Sequence, residues 1–190
     1  IKGTNMYRFM TFINEKYNQN FAEYAPLYQW SIENIPDFWA AMWEFAEIKA
    51  SKPYTQVVDD VTKMPGASWF PGARLNFAEN LLRYRDDPVS LIVKAEYQDS
   101  TQITYSELYD EVERVAKSRK ETGVQPGDRV AGFIPNMPEA IIAMLAAKSL
   151  GATWSSCSPD FGIKGVLDRF QPIKPKLLFT VDGYTYNGKK

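Results

Sequence analysis

The chain has 190 residues, 45% of them hydrophobic and 24% charged, which fits one sizeable domain, or a small domain behind an accessory segment, and excludes a disordered or fibrous protein. Lys and Arg number 22 against 23 Asp and Glu, for a net charge of -1; nothing draws the whole molecule to nucleic acid or an anionic membrane, so any anion site is local. Histidine is absent and cysteine occurs once, at Cys157, which removes His-dependent nucleophile arrangements, an internal disulfide and a cysteine-rich zinc site.

The opening residues Ile1 to Met6 lack the apolar core of a signal peptide, and no run approaches the roughly 20 apolar residues of a membrane span, so a cytoplasmic location is expected. The first 70 or so residues are crowded with aromatics, among them Phe9, Phe12, Trp30, Phe38 and Trp43, and read as helices lying on another surface. A helix starts at Ile35-Pro36-Asp37, with Phe38, Met42, Phe45 and Ala46 at helical spacing as its packing face. Lys52-Pro53 ends this region. Met64-Pro65-Gly66 and Pro71-Gly72 mark turns in a connector that leads to a short helix before Leu82. We expect an aromatic-rich helical region over residues 1–82 and the first part of an α/β domain over 83–190.

Val89 to Tyr97 has the β-branched alternation of a strand, and the turn Gln98-Asp99-Ser100 leads into Gln102-Ile103-Thr104 as a hairpin. Thr104-Tyr105-Ser106-Glu107 is a capping box, followed by the apolar stripe Leu108, Val112, Val115 and Ala116, with Gly123 closing the helix. Arg129 to Ile134 is a buried strand. Asn136 is the expected cap of the next helix, whose apolar residues surround it and predict burial. After Gly151 come a strand at Ala152 to Ser156, a helix with Ile163, Val166, Leu167 and Phe170 on one stripe, and a strand at Lys176 to Val181. Alternating strand and helix predict an α/β fold, a mostly parallel sheet with right-handed crossovers and helices on its faces.

Ligands in such sheets bind beyond the carboxyl ends of the strands. Here those are Pro135-Asn136-Met137, Cys157 to Gly162, and Asp182 to Lys190. Neither the Walker phosphate loop nor the Gly-x-Gly-x-x-Gly fingerprint occurs. Lys189 and Lys190, with Tyr184, Tyr186 and Asn187, form a basic and aromatic cluster suited to a phosphate and a purine face, against the alternative of a solvated chain end. Asp59-Asp60 and Asp86-Asp87 lack metal-ligand spacing and read as solvated surface, and Cys157 reads as a small buried hydrophobe.

The segments Leu27 to Glu33, Asp37-Phe38-Trp39, Trp69 to Leu82, Gly127-Asp128-Arg129-Val130 and Leu150-Gly151-Ala152 together resemble the opening of the adenylate-forming acyl-CoA synthetases. Trp154 to Gly162, Val166 to Phe170 and Tyr186 to Lys189 are similar to the acetoacetyl-CoA synthetase branch. The resemblance implies a ligase that makes an acyl-adenylate from acetoacetate and ATP with Mg²⁺, then transfers the acyl group to CoA. It also implies that the loops after the second and third strands face the CoA nucleotide. Tyr186, Asn187, Gly188 and Lys189 stand where acetyl-CoA synthetases carry Arg-x-Gly-Arg, and Pro159-Asp160-Phe161 where they carry Gly-Gly-Phe. These four residues and Asp160 are the CoA-binding candidates, with a helix N-cap as the preferred role of Asp160. The family's phosphate loop, acyl pocket and catalytic lysine have no counterpart in the chain, so no catalytic or metal residue is named and the chain is expected to be an inactive N-terminal fragment. Its partners are then small-molecule substrates and the rest of its own chain, not nucleic acid or membrane. An acetyl- or propionyl-type ligase and a non-catalytic nucleotide- or partner-binding module remain as alternatives.

Overall fold

A computed structural model describes residues 2–96, 99–185 and 187–188. The chain divides into two compact units, Ile1–Leu75 and Asn76–Lys190.

Three helices make the core of the first unit: α1 (Asn5–Tyr17), α2 (Tyr24–Glu33) and α3 (Ile35–Phe45). Thr4 caps α1 by accepting from the Tyr7 N–H at 3.3 Å, and Asn18 ends it in the left-handed region at φ 51°. The surface these helices cover is one another's. Phe9, Met10 and Ile13 meet Leu27, Trp30 and Ala41, with Phe38, Met42 and Phe45 packed around them. Phe9 meets the rings of Phe45 and Phe38 edge-on, at centroid distances of 5.0 and 5.9 Å, an arrangement that adds to the burial energy. The expected packing face of α3 is therefore present up to Phe45, with Ala46 as its C-cap.

The stretch after α3 is more than a connector. Residues 51–58 lie antiparallel to 68–74 through the bridges Lys52↔Arg74 and Val58↔Trp69, and Trp43, Tyr54 and Phe70 form a ring cluster with centroids 4.7 to 5.2 Å apart. Asp59, expected as solvated surface, organises the bend. Its carboxylate accepts from the backbone N–H groups of Ser68 (2.7 Å) and Asp60 (2.8 Å) and from Lys63 Nζ (2.6 Å). Lys63 first, then the Ser68 amide, hold the Asp59 carboxyl down at about 2.

In the second unit, α4 (Phe77–Leu81) precedes the hairpin β1 (Val89–Val93) and β2 (Thr101–Thr104), whose antiparallel register pairs Val93 with Thr101. Then follow α5 (Tyr105–Glu121), β3 (Arg129–Phe133), α6 (Pro138–Ser149), β4 (Thr153–Cys157), α7 (Ile163–Phe170) and β5 (Leu177–Thr180). Both bonds of the predicted capping box form: the Glu107 N–H donates to Thr104 Oγ1 at 3.2 Å and the Thr104 N–H to Glu107 Oε2 at 2.8 Å. Gly123 follows α5 at φ 86°, the left-handed geometry a helix end favours.

Helix α6 is buried, as its apolar circumference predicts: Ile142, Leu145 and Ala146 join Ala78, Leu82, Leu108 and Val112 in one cluster. Asn76 works at two helix ends. Its Oδ1 accepts from the Glu79 N–H at the start of α4, while its Nδ2 donates to the Lys148 and Ser149 carbonyls at the end of α6. Residues 76–82 thus lie in the second compact unit, although the chain's composition groups them with the aromatic-rich segment. The Asn136 cap does not form. Pro138 takes the first helical position, where a fixed φ and a missing N–H cost nothing, and this makes Met137 the N-cap.

The strands β4, β3 and β5 form a parallel sheet in that spatial order. Val130 packs with Ala147 and Ala152 on the α6 face, and Ala131 with Cys157 and Phe170 on the α7 face, so helices cover both sides. Among the described residues no helix is long and apolar enough to cross a membrane.

Candidate functional site

Because the three strands are parallel, their carboxyl ends share one edge of the sheet. The loop after β3 turns to the α6 face and the loop after β4 to the α7 face, so the two part beyond the strand ends and leave space there. On the α6 side Ile134, Met137, Ile142, Phe179, Thr180 and Val181 line a hollow of about 240 Å³, with Glu111, Arg114 and Glu139 also along its wall. On the α7 side Phe133, Phe161, Ile163, Val166 and Leu167 line an apolar hollow of about 340 Å³. The α7 stripe is thus only half covered: Phe170 is 7% exposed, whereas Ile163 is 83% exposed.

Asp160 lies in the loop after β4. Ser158 Oγ donates to its Oδ2 at 2.7 Å, and Tyr184 Oη, from the loop after β5, donates to its Oδ1 at 2.8 Å. These two hydroxyls, Ser158 first, hold the Asp160 carboxyl below the usual carboxylate range. The expected N-cap role is not observed. Gly162 is the N-cap of α7 and makes no side-chain cap bond, because both carboxylate oxygens of Asp160 are engaged within the loops. Since β4 and β5 flank β3 on opposite sides, the Asp160–Tyr184 bond ties the loops of the two outer strands across the end of the middle one.

Further along the loop after β5, Asn187 and Gly188 both have positive φ, 52° and 75°. Their consecutive backbone N–H groups converge on one carboxylate. Asn187 donates to Glu96 Oε1 at 2.9 Å and Gly188 to Glu96 Oε2 at 3.0 Å. The Gly188 N–H, then that of Asn187, keep Glu96 below its ordinary value and therefore charged at neutral pH. Glu96 follows β1, and Leu91, Ile92 and Val93 of β1, with Lys94, line a small hollow together with Asn136 from the loop after β3 and Pro138 at the start of α6. The hairpin end thus reaches the same edge. Nothing in the sequence flags Glu96, a single carboxylate paired with backbone groups some ninety residues away.

Of the five candidates, Asp160, Asn187 and Gly188 are found at this edge, and Tyr186 and Lys189, with Lys190, lie outside the described residues. Cys157 is buried at the end of β4, and burial pushes its thiol pKa up, away from nucleophilic use. Among the described residues, His, Cys, Asp and Glu side chains form no group of three or more able to hold a metal ion.

A sequence profile of the family described as AMP-binding enzyme matches residues 77–190, and one described as acetyl-coenzyme A synthetase N-terminus matches residues 24–81. Acetoacetyl-CoA synthetase of Danio rerio is 45% identical over all of the chain and 28% of its own length. Malonamoyl-CoA synthetase vrtB of Penicillium aethiopicum is 40% identical over 99% of the chain and 27% of its own length. The solved structure of acetoacetyl-CoA synthetase from Streptomyces lividans matches 99% of the chain and 30% of its own length, with 42% identity and a TM-score of 0.90. The chain therefore spans less than a third of the length of these relatives.

Proposed function

The chain belongs to the AMP-binding enzyme family, and from this premise we propose that it is the N-terminal part of an acetoacetate–CoA ligase, contributing part of the surface that receives CoA. In the whole enzyme ATP and acetoacetate form an acyl-adenylate and release pyrophosphate, and the CoA thiol then displaces AMP. The adenylate makes a poor electrophile reactive, since AMP leaves where an oxide ion would not. The described residues supply neither a phosphate loop nor a metal-binding group, so we assign no adenylation step and no magnesium ligand to them. Mg²⁺ and the adenylating groups belong to the rest of the enzyme, and its setting is the cytoplasm.

One observation carries the CoA reading: the loop with Asp160 and the loop leading to Asn187 and Gly188 are joined through Tyr184 at the carboxyl edge of the sheet. Such an edge, with an apolar hollow on the α7 side and a mixed one on the α6 side, suits a nucleotide whose base packs against apolar groups while its phosphates meet donors. In this reading residues 1–75 are the accessory region and residues 76–190 begin the adenylating domain. Lys189 supplies the positive charge for a phosphate, and Tyr186 an aromatic face where acetyl-CoA synthetases carry arginine.

The test is the Lys189→Ala variant of the full-length ligase. Loss of one charge-assisted contact should weaken CoA binding by about 1–3 kcal/mol, roughly five-fold to 150-fold, with ATP binding unchanged. Unaltered CoA affinity would return Lys189 to a solvated loop position.

A further inference from the structure

Two consecutive N–H groups in a left-handed turn make a concave anion site, of the kind that receives phosphates in many proteins. In this chain the site is already filled: Glu96 places one carboxylate oxygen on each N–H, at 2.9 and 3.0 Å. Asn187 pays for its left-handed φ of 52° in backbone strain, and an isolated turn of this kind would sample other conformations. The carboxylate comes from a different element, the end of the β1–β2 hairpin, so the bond fixes both the turn's shape and its position.

We infer that Glu96 is the positioning residue of the CoA-facing turn, holding the backbone of Asn187 and Gly188 in place at this edge of the sheet. This inference rests on the reading of that turn as part of the CoA surface. It reverses the role that a nest of N–H groups suggests at first sight: the backbone donors hold an internal carboxylate and are not offered to the substrate anion. Glu96 does not touch the reacting atoms, and its effect is confined to where the turn stands.

The sign of the substitution effect separates this role from the alternatives. A carboxylate near a bound polyphosphate repels it, so neutralising Glu96 by electrostatics alone, or by vacating an anion site, would tighten CoA binding. Loss of positioning loosens it.

The measurement is steady-state kinetics on the full-length ligase with Glu96→Gln and Glu96→Ala, beside pyrophosphate exchange into ATP for the adenylation half-reaction. Glutamine retains one acceptor and loses the second; alanine loses both. We expect the KM for CoA to rise about ten-fold in Glu96→Ala and less in Glu96→Gln, while the KM values for acetoacetate and ATP and the exchange rate hold. A fall in KM for CoA, no change in either variant, or a uniform loss of all parameters in the milder Glu96→Gln would each overturn the inference. If Lys189→Ala weakens CoA binding and the Glu96 variants do not, this inference alone fails; if neither position matters, the CoA reading fails with it.

Discussion

At the scale of single residues, the tightest constraint in the sheet is Gly132. A Cβ built there would lie 2.6 Å from Cζ2 and 2.8 Å from Cη2 of Trp154, so the indole on β4 lies across a strand position that must have no side chain. Gly132→Ala should destabilise the second unit by about 1–3 kcal/mol, measured by urea unfolding, and Trp154→Phe should recover part of that loss in the double variant. Additive losses would show that the indole is not the obstacle. A sequence offers no view of this pair, since a glycine inside a strand pattern has many explanations. It did carry the capping box at Thr104, because both partners sit within one turn of chain. Asp160 reads as a cap for the same local reason and is not one, since its Tyr184 partner comes from another loop.

Elements are positioned by polar ties at their ends. Lys176, just before β5, donates to the Gly123 carbonyl beyond α5 and to Asp128 Oδ2 in the turn before β3, at 2.6 and 2.7 Å. Lys176, then the Gln125 N–H, lower the Asp128 pKa. A carboxyl lowered in the fold stabilises above its unfolded value, about 3.9, and that contribution is lost as pH falls through the folded value. The melting temperature of wild type should therefore exceed that of Asp128→Asn at pH 6, and the gap should close below about pH 4. A gap that stays constant down to pH 3 would assign the difference to packing. Strand and helix order was legible here because period and turn residues agree along residues 104–181. The half-covered stripe of α7 was not, since periodicity locates an apolar face and says nothing of what lies against it. Glu96 was invisible for a related reason: its partners are backbone groups of a distant turn.

At the scale of the molecule, relatives named for acetoacetyl and malonamoyl groups match nearly the whole chain at 45% and 40% identity. If acyl choice is made elsewhere in the enzyme, as the family resemblance implies, a Penicillium malonamoyl-CoA synthetase carrying these 190 residues in place of its own should keep its acid preference. A switch to acetoacetate in competition assays would move the acyl pocket into this region. The aromatic-rich segment announced helices, but not that residues 51–58 and 68–74 would pair across from α3; isolated bridges leave no strand pattern to read. The spatial order β4-β3-β5 also bears on synthesis. The middle strand leaves the ribosome first, β4 joins one side of it, and β5 joins the other. Neither newcomer has to wedge between partners already bonded, so the sheet can assemble outward from its centre as the chain emerges.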